Sequence, residues 1–480
     1  MNGIKSSKKS DSINVTRREF LEDCTLCATG IAAVSVLGSS SLFASEKINN
    51  ELKAKVVLIF AHPDPEQPNW PNIGYDFKGH IAKVQKELYK KCPDIDFLPI
   101  TVASGSAETA QSILKENMDV DGFVVYLAGC LWGNLTETIA ACGKPTIIVD
   151  HLFAGSGEFL TSYARALRAG NKVVAVSSSN FDDVVEAVRC FDCIKKLQHS
   201  TVLVVGREAD DQIEKIYGTH VKSISFEEIN NLYKKVNPSD AKDQANRWMQ
   251  NAEKVIEPNK QDIDKAAAMY LTMLELLKNY KAQAITINCL GGIYAGNMVK
   301  AYPCLGFMQL DNDGLVGACE ADQRSTMTKL IMTYLSGRPG FISDPVIDTA
   351  KNQIIYAHCV APTKVYGPQG TANPYHLRSH SESREGACNR SLMPLGEMTT
   401  TILFDHNSKQ IIFHQGKSVE NIDEDRACRN KLAVEVKGDI YKLLTYWDEW
   451  GWHRVTFYGD LKRPVYNIAS LLGFKVVEEA

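Results

Sequence analysis

The chain has 480 residues, 44% hydrophobic and 23% charged, with 17 prolines and 32 glycines. These are ordinary globular proportions and exclude a disordered chain, a collagen-like repeat and a coiled coil. Lys and Arg total 53 against 57 Asp and Glu, a net charge of −4, and no segment carries the dense basic stripe through which nucleic-acid binders neutralise phosphate.

Near its start the chain carries Thr16-Arg17-Arg18-Glu19-Phe20-Leu21, followed by a charge-free run from Cys24 to Ala44. The run is about long enough to span a membrane, but serines and glycines dilute it. Paired arginines, Phe-Leu and a weakly apolar run resemble a bacterial twin-arginine export signal. Residues 1–44 are therefore expected to be a leader, with cleavage near Ala44, a periplasmic product and no stable membrane anchor. Two of the 13 cysteines fall in the leader. The remaining odd set, scattered through apolar segments, is not a disulfide framework. Cys190 and Cys193 form a lone C-x-x-C without the second pair that a zinc site needs.

Beyond the leader the length predicts about three domains at roughly 150 residues each. Strands expected at 55–61, 96–103, 122–128, 145–150 and 172–177 alternate with helices near 78–91, 107–118, 134–142 and 157–169. This is the pattern of βαβ units around a parallel sheet and defines a first α/β domain over 46–178. Ligands in such sheets sit beyond the carboxyl ends of the strands. His62, Trp132 and His151 stand there, although a turn or cap is the simpler reading of each. A second α/β domain is expected over 179–338, with a strand from Thr201, helices near 238–256 and 261–282, a strand at 284–289 and a helical segment at 314–336. Neither domain has G-x-G-x-x-G or a Walker loop, so no nucleotide cofactor is supported. From 339 to 480 the pattern becomes β-rich, with strands near 352–358, 399–404, 410–414 and 455–458 and a closing helix near 461–472. The predicted fold class is α/β: two doubly wound α/β domains, then a mostly β, small-barrel C-terminal domain.

Chemistry-bearing residues are densest in the second half. Ala318-Cys319-Glu320-Ala321-Asp322, read as opening a helix, precedes Asp344 in Phe341-Ile342-Ser343-Asp344. His358 and His453 follow at wide separations. A mixed oxygen and nitrogen set suits Mn²⁺ or a similar divalent ion, although these positions converge only if the fold brings them together. Trp447, Trp450 and Trp452 offer faces for sugar stacking, although barrel core or a subunit interface is the simpler reading. His376, Arg378 and His380 lie on a polar loop, free to meet substrate hydroxyls or solvent.

Pro303-Cys304-Leu305-Gly306 leading to Cys319-Glu320-Ala321-Asp322, then Gly337 to Asp344, Leu395 to Thr399, and Trp452-His453 through Gly459-Asp460, resemble the core of the L-fucose isomerase family and its L-arabinose isomerase relatives. The resemblance covers about 285–480. It implies a metal-dependent aldose–ketose isomerase working through an enediolate, with Glu320 and Asp344 as catalytic carboxylates and as metal ligands beside His453. The arabinose branch adds a metal histidine at His358. It further implies a small-molecule sugar substrate, with Trp132, His380 and Trp452 as substrate contacts, and a homo-oligomer with active sites at subunit interfaces. A non-catalytic exported carbohydrate-binding protein on the same fold is the alternative reading.

Overall fold

The computed structural model describes residues 52–296 and 298–480; the expected leader lies outside the described residues. Five strands, β1 (Ala54–Ala61), β2 (Ile95–Val102), β3 (Gly122–Leu127), β4 (Thr146–Asp150) and β5 (Val173–Ser177), form a parallel sheet in the order β2-β1-β3-β4-β5. From Val56 to Ala61 every residue of β1 is buried. Helices cover both faces of a parallel sheet, so its strands read as continuous apolar runs rather than alternating ones.

The second sheet holds β6 (Thr201–Val205), β7 (His220–Ile224), β9 (Ala284–Ile287) and β10 (Val316–Ala318), parallel in the order β10-β9-β6-β7. The short strand β8 (Lys254–Val255) lies between β7 and β9 in the chain and pairs elsewhere. An Asn259–Asp262 capping box starts the helix Lys260–Tyr280, and Gly337, at φ 67°, ends the helix Gln323–Ser336.

Two helix expectations change here. The helix expected over 238–256 stops at Asn251, and Lys254–Val255 instead becomes β8. The helical segment expected over 314–336 begins as strand β10, turns through residues 319–322 and becomes helical only at Gln323. Three residues are too few to show a period. The strand forms because Val316, Gly317 and Ala318 pair with Ala284, Ile285 and Thr286. Gly317 also lets the strand press on Phe307, whose Cα lies 2.7 Å from where a β-carbon would be.

The C-terminal part contains β11 (Phe341–Asp348), β12 (Gln353–His358), β13 (Tyr375–Arg378), β14 (Cys388–Ser391), β15 (Met398–Asp405), β16 (Gln410–Asn421), β17 (Asn430–Lys437), β18 (Arg454–Tyr458) and β19 (Lys475–Glu478). The ring β15-β18-β11-β12-β17-β16 closes through the β15–β16 pairing, with all neighbours antiparallel. The small-barrel expectation is met, and closure removes exposed strand edges. β19 adds in parallel to β16, while β13 and β14 pair with each other and take β8 as a third strand. One apolar core runs from Phe60 and Val124, through Val188 and Met327, to Phe404 and Phe457. Among the described residues no helix is long and apolar enough to cross a membrane, and all eleven described cysteines are free thiols.

Candidate metal centre and substrate cleft

Strand register explains how residues far apart in sequence meet. In the barrel, Asp344 on β11 pairs with Ala357 on β12, and Ser343 pairs with Arg454 on β18. Asp344, His358 and His453 therefore stand at one end of three adjacent strands. The carboxyl end of β10 points to the same place and delivers Glu320. That residue does not open a helix as expected. Glu320 and Ala321 take left-handed φ values of 64° and 51°, which cost roughly 1–3 kcal/mol each in residues other than glycine. The turn is held by Ala321 N–H donating to the Ile287 carbonyl at 3.0 Å and by Thr286 Oγ1 donating to the Ala318 carbonyl at 3.0 Å. Asp322 then caps the helix Gln323–Ser336, accepting from Ser325 N–H at 3.0 Å and Ser325 Oγ at 2.6 Å.

Glu320, His358 and His453 each offer a ligand atom within 4.8 Å of the others. Glu320 Oε1 lies 3.4 Å from His358 Nε2, and Glu320 Oε2 lies 3.8 Å from His453 Nε2. Asp344 Oδ1 stands 3.5 Å from the same His453 nitrogen, on the more open side. Ligand atoms bound at about 2.1 Å to one ion at right angles would be ~3 Å apart, close to these separations. His358 is 1% exposed, and among the described residues neither ring nitrogen makes a hydrogen bond, Nε2 facing only the Glu320 carboxylate at 3.4 Å. A buried imidazole with both nitrogens unsatisfied is costly unless something binds it, so the donor set fits a divalent ion.

The electrostatics are those of a collected set of opposite charges. Burial opposes ionisation of Glu320, but His358 and His453 outweigh it and hold the carboxyl below its usual range. Burial likewise opposes protonation of His358, yet Glu320 raises the imidazole to about 9. Without a metal the site would thus hold a proton that an ion must displace. Sequence reasoning assigned no role to Asp322, although it lies in the quoted motif. Its Oδ2 meets His453 Nδ1 at 2.9 Å and so turns Nε2 toward Glu320 and Asp344.

A cleft of about 760 Å³ opens over these groups, lined by Glu320, Asp344, His453 and Trp452, and also by Arg207 and Arg324, which sequence reasoning missed. Arg207 follows the carboxyl end of β6, the position where α/β loops meet ligands, and that signal was available. Trp452 is 73% exposed at the cleft. Its neighbours are structural: Trp447 is buried under the Arg454 guanidinium at 4.3 Å, and Trp450 Nε1 donates to Gln410 at 3.0 Å. His380 lies behind the candidate metal centre, with Nε2 3.0 Å from Cys359 Sγ and Nδ1 3.2 Å from the Tyr294 hydroxyl; burial pushes its imidazole below the usual value. Trp132 is not among the residues lining this cleft. It is exposed at a loop after β3, with left-handed φ 48°.

No family model matches the chain. Individual proteins do. The chain is similar to sulfoquinovose isomerases. It is 24% identical over 285 residues to the sulfoquinovose isomerase of Clostridium sp. (strain MSTE9), covering 56% of this chain and 60% of the relative. That of Priestia aryabhattai is 29% identical over 225 residues, covering 45% and 48%. That of Alkalicoccus urumqiensis is 21% identical over 310 residues, covering 60% and 67%. The chain thus spans 60% or less of the length of the first two relatives. A solved XylFII–LytSN complex aligns with a TM-score of 0.17 at 13% identity, covering 60% of this chain and 94% of that one, too low to bear on the fold.

Proposed function

We propose that the protein is a divalent-metal-dependent aldose–ketose isomerase of the L-fucose isomerase-like type. The observation that carries this reading is the convergence of Glu320, His453 and the buried His358, with Asp344 beside them, where Glu320, Asp344 and His453 line an open cleft. Similarity to proteins named as sugar isomerases supports it, and sulfoquinovose is the first substrate to try.

Moving a carbonyl from C1 to C2 requires a base for the C–H proton and an acid or base for the oxygens. Glu320 is ionised at neutral pH and stands ready to accept the proton. Asp344, across the His453 nitrogen, serves the oxygens. His358 and His453 complete the ligand set, and Trp452 offers its exposed face to the sugar. An ion such as Mn²⁺ supplies charge stabilisation for the developing enediolate oxygens. The left-handed turn at Glu320 fixes the carboxylate before substrate arrives, which is how strain at a site is used.

Export by the twin-arginine route to the periplasm belongs to the same proposal and rests on residues 16–44. So does a homo-oligomer whose active sites lie at subunit interfaces. Trp70, Trp132 and Phe153, all exposed on loops after β1, β3 and β4, support that assembly.

The test is incubation of Mn²⁺-loaded protein with sulfoquinovose and a panel of neutral aldoses in D₂O, followed for ketose formation and exchange of the C2 proton. Exchange with at least one aldose is expected. Tight sugar binding without exchange for any of them sinks the isomerase in favour of a binding protein. Light scattering and fractionation of cells expressing the full chain test the oligomer and the export.

A further inference from the structure

Two arginines share the cleft with the metal centre and take no part in it. Arg207 follows Gly206, whose φ of 73° and missing side chain let Phe226 pack where a β-carbon would sit. The loop carrying Arg207 is held in place. The Gln323 side chain accepts from Asp210 N–H at 2.7 Å and donates to the Glu208 carbonyl at 2.9 Å, while Asp210 Oδ2 meets His406 Nε2 at 2.9 Å. On this fixed loop the exposed Arg207 guanidinium has no hydrogen bond or ion pair with any described residue.

Arg324 lies in the first turn of the helix that follows the metal-centre turn. Its Nη2 lies 2.5 Å from where a β-carbon on Gly451 would be, so glycine at 451 makes room for the guanidinium beside Trp452 and His453. The nearest carboxylate is Asp405, whose Oδ1 is 3.5 Å away and accepts no hydrogen bond, while its Oδ2 is taken by Ser408. Arg324 therefore keeps donors to spare.

The acids of the cleft are already engaged. Asp210 is bound to His406 and Asp322 to His453, and Glu320 and Asp344 belong to the metal centre. What remains for a ligand is a carboxylate-and-imidazole end and a guanidinium end within one cavity. Forked guanidinium donors match oxyanions better than hydroxyls do, and the charge makes those hydrogen bonds stronger than neutral ones.

We propose that Arg207 and Arg324 form an anion subsite selecting aldoses that carry an oxyanion at the end remote from C1 and C2. The inference rests on the isomerase reading for which end of the sugar faces the metal centre. Sulfonate, phosphate and carboxylate share the chemistry recognised.

Calorimetric titration of the full, Mn²⁺-loaded chain with glucose and with its 6-sulfonate, 6-phosphate and 6-carboxylate counterparts tests it. The wild type should bind at least one anionic sugar about 10-fold or more tighter than glucose, as expected for charged hydrogen bonds, and the three anionic arms report which oxyanion fits. Arg207→Gln and Arg324→Gln should each cut that preference about 10-fold, and Arg207→Lys should restore part of it through charge alone. Melting curves confirm that each variant is folded. Equal binding of neutral and anionic sugars by the wild type, or a preference that survives both glutamine variants, overturns the subsite. C2-proton exchange run on the same samples separates the two readings. Exchange without anion preference leaves the isomerase and removes the subsite; arginine-dependent anion preference without exchange does the reverse.

Discussion

The Asp322 carboxylate lies 2.9 Å from Nδ1 of His453, joining positions 131 residues apart. One residue caps a helix of the second α/β sheet and the other precedes a barrel strand, so this contact sets the position of the imidazole between two parts of the fold. Burial opposes both charges. His453 nevertheless holds Asp322 well below the usual carboxylate range, and Asp322 raises His453.

Asp322→Asn should therefore weaken Mn²⁺ binding about 10- to 100-fold, the usual cost of losing the group that orients a metal-binding histidine. A pH signature accompanies it in the metal-free protein. The lowered carboxyl contributes stability above its unfolded value of about 3.9, lost as pH falls through the folded value. The raised imidazole contributes stability below its unfolded value of about 6.5, lost as pH rises through the folded value. Denaturant unfolding should show the widest gap between wild type and Asp322→Asn at about pH 4–6.5. A gap that is constant across pH would mean that the pair is not charged.

Glu320→Gln and Asp344→Asn keep shape and remove a charge. Both should weaken Mn²⁺ binding, and both should lower turnover about 100-fold or more even at saturating metal, because positioned proton transfer is lost. Steady-state rates measured over a metal titration separate the two effects. Full recovery of turnover at high Mn²⁺ would make these carboxylates ligands only and send the search for the base to His358 and His380.

Fold class was legible because apolar runs and helical periods are local. The same locality explains what was not. Glu320 stood out by residue type, but nothing in Cys319-Glu320-Ala321-Asp322 signals a left-handed turn at two residues other than glycine, so the segment read as a helix start. The three-residue strand before it owes its existence to pairing with β9, which no local window contains. Asp322 was visible without a role because its partner lies beyond any motif. Asp344, His358 and His453 become neighbours through the β11–β12 and β11–β18 registers, and only a family resemblance could join them from sequence. Arg207 had a positional signal, the end of a parallel strand, but no motif around it.

Mn²⁺ should stabilise the folded chain, because the ligand set is assembled only in the native state. A ligand at 100 times its Kd contributes about 2.7 kcal/mol, a rise of a few degrees in melting temperature for a chain of this size. The rise should vanish on adding a chelator. It should also be absent in His358→Asn, since among the described residues neither ring nitrogen of this buried histidine makes a hydrogen bond. Equal stabilisation of wild type and variant would place the ion elsewhere.

The strand that delivers Glu320 is itself anchored by a buried ion pair. Lys329 Nζ meets Asp311 Oδ2 at 2.7 Å and donates to the Gly317 carbonyl at 2.5 Å, while Gly317 N–H donates to Asp311 at 3.2 Å. Both side chains are almost inaccessible to solvent. Burial raises Asp311 to about 6 despite the attraction of Lys329, so as pH rises from about 4 to 6 the native carboxyl releases its proton later than the unfolded one, and this group's contribution to stability falls. Removing one partner strands the other charge: Lys329→Met should cost about 3–5 kcal/mol. The double variant Asp311→Leu with Lys329→Met removes both charges and should recover much of that loss in denaturant unfolding. Because Gly317 is tied to this pair on one side and the Glu320 turn hangs from β10 on the other, the folded double variant should bind Mn²⁺ more weakly than wild type even where its stability returns. Wild-type metal affinity in a stable double variant would show that β9 pairing alone places the turn.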